Sequence, residues 1–267
     1  MKSQRPDPIP VEGSFNEFVK EFGGELVSEL IPPGPNLPRN ADYLFRENRV
    51  VAELKCLEKD LFGTEDRERL QKLMHKWTSR DMIAGPLLLR WSLGRDRLPA
   101  ECQQDMINLV ERTFETAIRS AKKQIESTKD YFELPQARGL LLLANDGNYF
   151  LQHHEFFSLT CRLLANRFPN SCIDGFVYFT PNMPTHMPGH KLERVLWIPA
   201  YQAEGNKSLS EFVNMLGAKW HRFYQRRIGQ EDVPTLFIND RAEGLAAISS
   251  MKHINYYRDR YYKRRTR

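Results

Sequence analysis

Apolar residues recur at helical spacing near the start of the chain, where Phe15, Phe18, Val19 and Phe22 fall on one stripe. Ser14 is a suitable N-cap for that helix and Gly23-Gly24 a suitable stop. The period then shortens. Residues 25–31 (ELVSELI) alternate in part and predict a first strand, and the run 32–38 (PPGPNLP) predicts a loop, because proline has no N–H to give a ladder. Residues 41–45 (ADYLF) and 49–55 (RVVAELK) have strand composition, and the polar interval of Arg46, Glu47 and Asn48 between them predicts a hairpin.

A long helical stripe returns over residues 105–127, with Met106, Val110, Phe114, Ala117, Ala121 and Ile125 on one face, and 139–145 (GLLLLAN) reads as a buried strand. Between hairpin and long helix, residues 64–77 carry another helical pattern with Leu70, Leu73, Met74 and Trp77. Downstream, 153–168 predict a helix, 171–180 and 193–199 strands, Ser208 the cap of a helix running through Trp220 and Tyr224, and 235–238 (TLFI) a last short strand. The expected fold is α/β: a central mixed sheet flanked by helices, with a helical insertion at 60–105 and a C-terminal α/β extension. No internal repeat interrupts this order, and residues 1–251 are expected to form one domain ahead of a tail at 252–267.

The 267 residues are enough for a sizeable core. Charge changes the picture only once it is divided along the chain. The net charge is +5, and residues 252–267 alone hold seven Lys or Arg against one Asp, so the rest is close to neutral. That tail interleaves four tyrosines with its cations, a composition suited to phosphate contact and base stacking through Arg258, Arg260, Lys263, Arg264 and Arg265. The competing reading is an amphipathic terminal helix packed on the body. The four cysteines show no CxxC pairing, and neither a signal peptide nor a membrane-length apolar run is evident, so a reduced cytoplasmic setting without membrane contact is expected. No GxxxxGK[ST] or GxGxxG run supports nucleotide binding. His186 and His190 stand in a Pro/Gly loop that does not put them on one face for zinc, and Cys161 has the apolar helical surroundings of a structural cysteine.

The hairpin carries the candidate chemistry. Side chains alternate along a strand, so Glu53 and Lys55 share one face while Ala52 and Leu54 take the other, and the hairpin sets Asp42 beside the far end of the second strand. Two carboxylates are hard oxygen ligands suited to Mg2+ or Mn2+, and a neighbouring ammonium can orient a water or offset charge growing on a scissile phosphate. The bland reading is a solvated face with a cross-strand ion pair.

Asp42 followed by Glu53-Leu54-Lys55 resembles the PD-(D/E)xK signature of the restriction-endonuclease-like nuclease superfamily, with Ala41 where the pattern's name has proline. The superfamily core is a helix, three strands, a helix and a further strand, and this chain is read in the same order, with 105–127 as the core helix and 64–77 as an alternative occupant of that place. The resemblance implies a restriction-endonuclease-like core and a metal-dependent phosphodiesterase acting on DNA, with RNA as the other substrate. It implies that Asp42, Glu53 and a backbone carbonyl, that of Leu54, hold Mg2+ or Mn2+, and that Lys55 positions or helps deprotonate the attacking water. Similar nucleases often carry Gln or Lys on the core helix, which points to Gln124; Lys122 and Lys123 beside it are expected to be solvated or to contact phosphate. They frequently add an acid from the first helix, which points to Glu17 or Glu21, with Glu21 preferred. Many act as homodimers. Two other readings remain: a non-catalytic nucleic-acid binder that kept the fold, and an interaction module presenting Leu70, Leu73, Met74 and Trp77 to a protein partner.

Overall fold

A computed structural model describes residues 7–31, 39–57, 64–92, 97–148, 151–189, 195–202, 207–231, 235–238 and 240–253. The chain forms two compact units, one of Met1–Glu58 with Ile118–Arg267 and one of Lys59–Ala117. The insertion expected at 60–105 therefore continues to Ala117.

Helix α1 (Val11–Phe22) starts one turn earlier than its serine suggested. Pro10, with φ at −69°, supplies the pre-set turn and its carbonyl accepts from the Ser14 amide, which leaves Ser14 inside the helix and fully buried. Val11 thereby joins the apolar stripe. At the other end Gly23 takes φ 94°, where its amide and that of Gly24 close onto the carbonyls of Lys20 and Val19.

The strand expected at 25–31 is only β1 (Glu25–Leu26). Val27 donates its amide sideways to the Asp42 carbonyl, and the chain coils into α2 (Val27–Leu30), burying Val27 and leaving Ser28 to Leu30 in solvent. The hairpin of β2 (Tyr43–Phe45) and β3 (Val50–Leu57) follows, antiparallel, with Tyr43 opposite Ala52 and Phe45 opposite Val50. Its turn closes from the Arg49 amide to the Arg46 carbonyl, and Arg49 takes the positive φ of 53°.

The second unit holds α3 (Thr64–Ser79), α4 (Gly85–Ser92) and the first part of α5 (Ala100–Tyr131). Within it Asp105 accepts from Lys76 Nζ at 2.7 Å and Trp77 Nε1 at 2.9 Å, two bonds that hold its carboxyl below the usual range. Leu70 and Trp77, expected as part of a partner-facing stripe, are buried, while Leu73 and Met74 are half-buried.

Beyond α5 come β4 (Arg138–Asn145), α6 (His153–Arg167), β5 (Ile173–Phe179), β6 (Thr185–His186), β7 (Trp197–Tyr201), α7 (Lys207–Ile228), α8 (Arg241–Ser250) and β8 (Lys252–His253). The main sheet runs β1-β2-β3-β4-β5-β7, with β3, β4 and β5 parallel and β5 antiparallel to β7; β6 and β8 form a separate ribbon. The fold is thus α/β, a six-stranded mixed sheet flanked by helices. Residues 235–238 form no strand: Leu236 and Phe237 are exposed, so no sheet face receives them. Helix α8, capped by the Asp240 carboxylate on the Glu243 amide, and the β6–β8 ribbon were not foreseen. The ribbon takes the first two residues of the basic tail; Arg258, Arg260, Lys263, Arg264 and Arg265 lie outside the described residues. Among the described residues no helix is long and apolar enough to cross a membrane.

The two sheet faces have different chemistry. Val50, Ala52, Leu54, Leu140, Leu142, Ala144, Val177 and Phe179 meet α1 and α7 in an aromatic core, where Phe15 lies 4.8 Å from Trp220 and 5.3 Å from Phe18 between ring centroids. The opposite face carries Glu53 and Lys55 on β3, Leu141 and Leu143 on β4, and Tyr178 on β5, which packs 4.4 Å from Phe156 of α6.

Gly139 fixes the approach of β4 to the chain entering β5. A Cβ there would lie 2.0 Å from the Cys172 carbonyl oxygen, a backbone atom that cannot rotate away. Gly139→Ala is expected to destabilise the protein by at least about 3 kcal/mol, the upper end for overpacking, as read by urea denaturation.

Candidate metal centre

Three segments bring the site together, all in the unit that holds the sheet. Asp42 immediately precedes β2, on the opposite side from Tyr43, and so on the face of Glu53 and Lys55. Its Oδ2 accepts from the Leu54 amide at 2.8 Å. Glu53 is 1% exposed, and its Oε1 accepts from Lys55 Nζ. The ammonium also donates to Gln124 Oε1 at 2.8 Å, which ties the β3 triplet to α5. Ser120 donates to that same amide oxygen at 2.8 Å, and Gln124 Nε2 donates to the Asn40 carbonyl at 3.0 Å.

Two carboxyls taken out of water side by side hold protons more tightly than usual. Burial, and then the negative charge of Asp42, push Glu53 up to about 8, against the pull of Lys55. Asp42 is also raised, by burial first, although the Leu54 amide and Lys55 oppose it. Glu53 Oε2 is buried with no hydrogen-bond donor on it. An acceptor-only oxygen in that position, beside a second carboxylate, is a group that a shared proton or a cation would satisfy.

The donor set fits a hard divalent cation: carboxylate oxygens from Asp42 and Glu53, with the Leu54 carbonyl on the same side. A strand residue's N–H and C=O point the same way, so the Leu54 amide on Asp42 places its carbonyl on that side too. Among the described residues no group of three or more His, Cys, Asp or Glu stands together as metal ligands.

Glu21 and Glu17 do not join this group. Both are exposed on α1 and turned to α7, where the Glu21 carboxylate is paired with Arg226 and that of Glu17 with Arg227. The α1 acid whose charge reaches Asp42 is Glu12, one of the influences that raise its pKa. Lys122 pairs with Glu126 at 2.6 Å, and its carbonyl accepts from Cys172 Sγ, so it sits on the β5 flank of α5; Lys123 is exposed. The four cysteines form no disulfide with one another. His153 begins α6 as a buried residue, held between the Tyr178 hydroxyl at 2.7 Å and Thr185 Oγ1 at 2.8 Å.

Sequence reasoning missed Asn40, Ser120, Ser127 and Thr128. Ser127 donates to Asn40 Oδ1 at 3.0 Å, and Thr128 Oγ1 accepts from the Ala41 amide at 2.7 Å. The signal was available: 120, 124, 127 and 128 recur at three and four residues, which makes one polar strip on α5. Compared with protein-family models, curated proteins and solved structures, the chain matches none.

Proposed function

We propose that this protein is a metal-dependent nuclease that hydrolyses phosphodiester bonds in DNA, with RNA as the alternative substrate. The observation that carries the reading is the half-buried Asp42 and the buried Glu53 on one face of the hairpin, with no hydrogen-bond donor on Glu53 Oε2 and the Lys55 ammonium on its Oε1. Such a pair raises its own proton affinity and gains from a cation. The order α1, β1, β2, β3, then α5 and β4, with β3 and β4 parallel, supports a restriction-endonuclease-like core.

Asp42 and Glu53, with the Leu54 carbonyl, would hold Mg2+ or Mn2+. The ion supplies Lewis acidity toward a phosphoryl oxygen and lowers the pKa of water. Lys55 keeps its ammonium between Glu53 and Gln124, from which it can donate to an incoming oxygen or offset charge on the phosphate. Gln124 holds that ammonium in place through an amide that Ser120 and Asn40 have already oriented. The basic, tyrosine-rich tail, with Lys122 and Lys123, would add phosphate contacts; truncation after His253 is expected to weaken single-stranded DNA binding in EDTA by roughly tenfold or more at low salt and to flatten its salt dependence.

The test is cleavage of single-stranded DNA, duplex DNA and RNA with Mg2+, Mn2+ or EDTA, with wild type beside Lys55→Ala. Metal-dependent cutting that disappears in the variant establishes the activity and names the substrate. Binding without cutting under every metal condition would replace this reading with that of a non-catalytic nucleic-acid binder.

A further inference from the structure

The β2–β3 ladder stops one rung short of where its register would carry it. Tyr43 pairs with Ala52, so a continued ladder would set Asp42 opposite Glu53 and then pair Ala41 with Leu54, these last two exchanging amides and carbonyls. Both donors of that rung go to side chains instead: the Leu54 amide to Asp42 Oδ2 at 2.8 Å, and the Ala41 amide to Thr128 Oγ1 at 2.7 Å. Thr128 is fully buried on α5. Gln124 and Ser127 stand on the same helical strip and bond Asn40 through its carbonyl and its side chain, each at 3.0 Å. Three hydrogen bonds from one helix face thus fall on the two residues that precede Asp42.

We propose that Thr128 is a positioning residue for the metal centre: by taking the Ala41 amide it keeps the ladder from closing over Asp42 and Glu53, which holds the Asp42 carboxylate on the Leu54 amide and leaves the Leu54 carbonyl turned to the carboxylate pair. Its consequence for metal rests on the nuclease reading; the ladder break rests on the hydrogen bonds alone. Thr128 touches neither carboxylate, so it acts through the backbone of Ala41. Valine would fill nearly the same volume but offers no acceptor, and the Ala41 amide would then turn to the Leu54 carbonyl or go unpaired. In either case the hold on Ala41, directly behind Asp42, is lost, while Gln124 and Ser127 still hold Asn40.

Two readouts test this on the full chain. The first needs no metal: the Leu54 amide proton, bonded to a carboxylate, is expected to move upfield by NMR in Thr128→Val and to return in Thr128→Ser, because its new partner is neutral. The Leu142 amide in β4 reports that the sheet is intact. An unmoved Leu54 amide in Thr128→Val would overturn the proposal. The second is Mn2+ affinity by calorimetry, expected to weaken about 10- to 100-fold in Thr128→Val and to recover with serine, as for other groups that orient ligands. If the amide moves while Mn2+ affinity stays the same, the role in metal positioning fails. If wild type binds no Mn2+, the nuclease reading fails, and the amide shift alone decides whether Thr128 breaks the ladder. Should Thr128→Val not fold, Ser127→Ala is expected to move the same amide by less, and an unmoved amide there overturns the proposal equally.

Discussion

Asp42→Asn protein is expected to lose Mn2+ binding and metal-dependent cleavage together, whereas Lys55→Ala protein is expected to keep the binding and lose the cleavage. The two side chains stand on one face, yet their chemistry separates them. Asp42 is a ligand-type carboxylate whose Oδ2 already rests on the Leu54 amide, and asparagine preserves the shape while removing the charge that a cation needs. Lys55 is a cation that donates to Glu53 Oε1 in the absence of metal. Removing it takes away a cation competing for the same oxygen, so metal affinity should hold or rise slightly, while the charge developing on the phosphate loses its counterpart. Cleavage should fall by at least about a hundredfold, the scale at which loss of one preorganised charge-stabilising group acts. Calorimetry with Mn2+ and a cleavage time course on the same preparations read both quantities. Equal loss of binding in the two variants would count against the division of roles, and full cleavage by Asp42→Asn would remove the assignment of the site.

The second large effect concerns pH and stability without metal. Burial, and then the Asp42 charge, push Glu53 up from its ordinary 4.5 to about 8 in the folded protein. Between those values the native state holds a proton that the unfolded chain has released, so raising the pH favours unfolding. The stability present below about pH 4.5 is therefore lost as pH climbs towards 8, at up to about 1.4 kcal/mol per pH unit and on the order of a few kcal/mol in all. Asp42, shifted in the same direction, adds to the loss. In EDTA, urea denaturation from pH 5 to 8 is expected to show this decline in wild type and a much flatter profile in Glu53→Gln. With Mn2+ the wild-type trend should reverse, because metal binding needs the deprotonated ligands and becomes tighter as pH rises. Parallel profiles for wild type and Glu53→Gln in EDTA would show that the carboxyl is not held in its protonated form.

What could be read in the sequence was local. Strand alternation placed Glu53 and Lys55 on one face, the short polar interval after Phe45 marked the hairpin, and the stripe through Ala117 and Ala121 put Gln124 near that face. What could not be read depended on partners distant in the chain. Glu17 and Glu21 looked alike as ligand candidates, and it is the arginines of α7, some two hundred residues away, that take their carboxylates. The expected strand at 25–31 ended early because the chain coils into α2 at Val27, whose amide makes the last in-register bond to the Asp42 carbonyl and whose own carbonyl accepts from the Ile31 amide. Helix α8 was hidden for another reason: its segment, RAEGLAAISS, has no clear apolar stripe, so periodicity had nothing to register. Helical insertion and core helix were separable as patterns, but α5 runs unbroken from one compact unit into the other, and no sequence signal marks Ala117 as the boundary.

The borders of the main sheet bear on how copies of this chain can associate. On one side the outermost strand, β1, is two residues long. On the other, β7 turns Leu196 and Gln202 inward to bond Thr180 and Asp174, so Trp197, Pro199 and Tyr201 direct their backbone groups outward. Proline removes the middle outward donor. Among the described residues both edges of this sheet are thus poor templates for a strand from a second molecule, one of the ways natural sheets avoid growing into aggregates. Association of two copies by extending the main sheet is therefore disfavoured, and that sheet is expected to remain six strands wide.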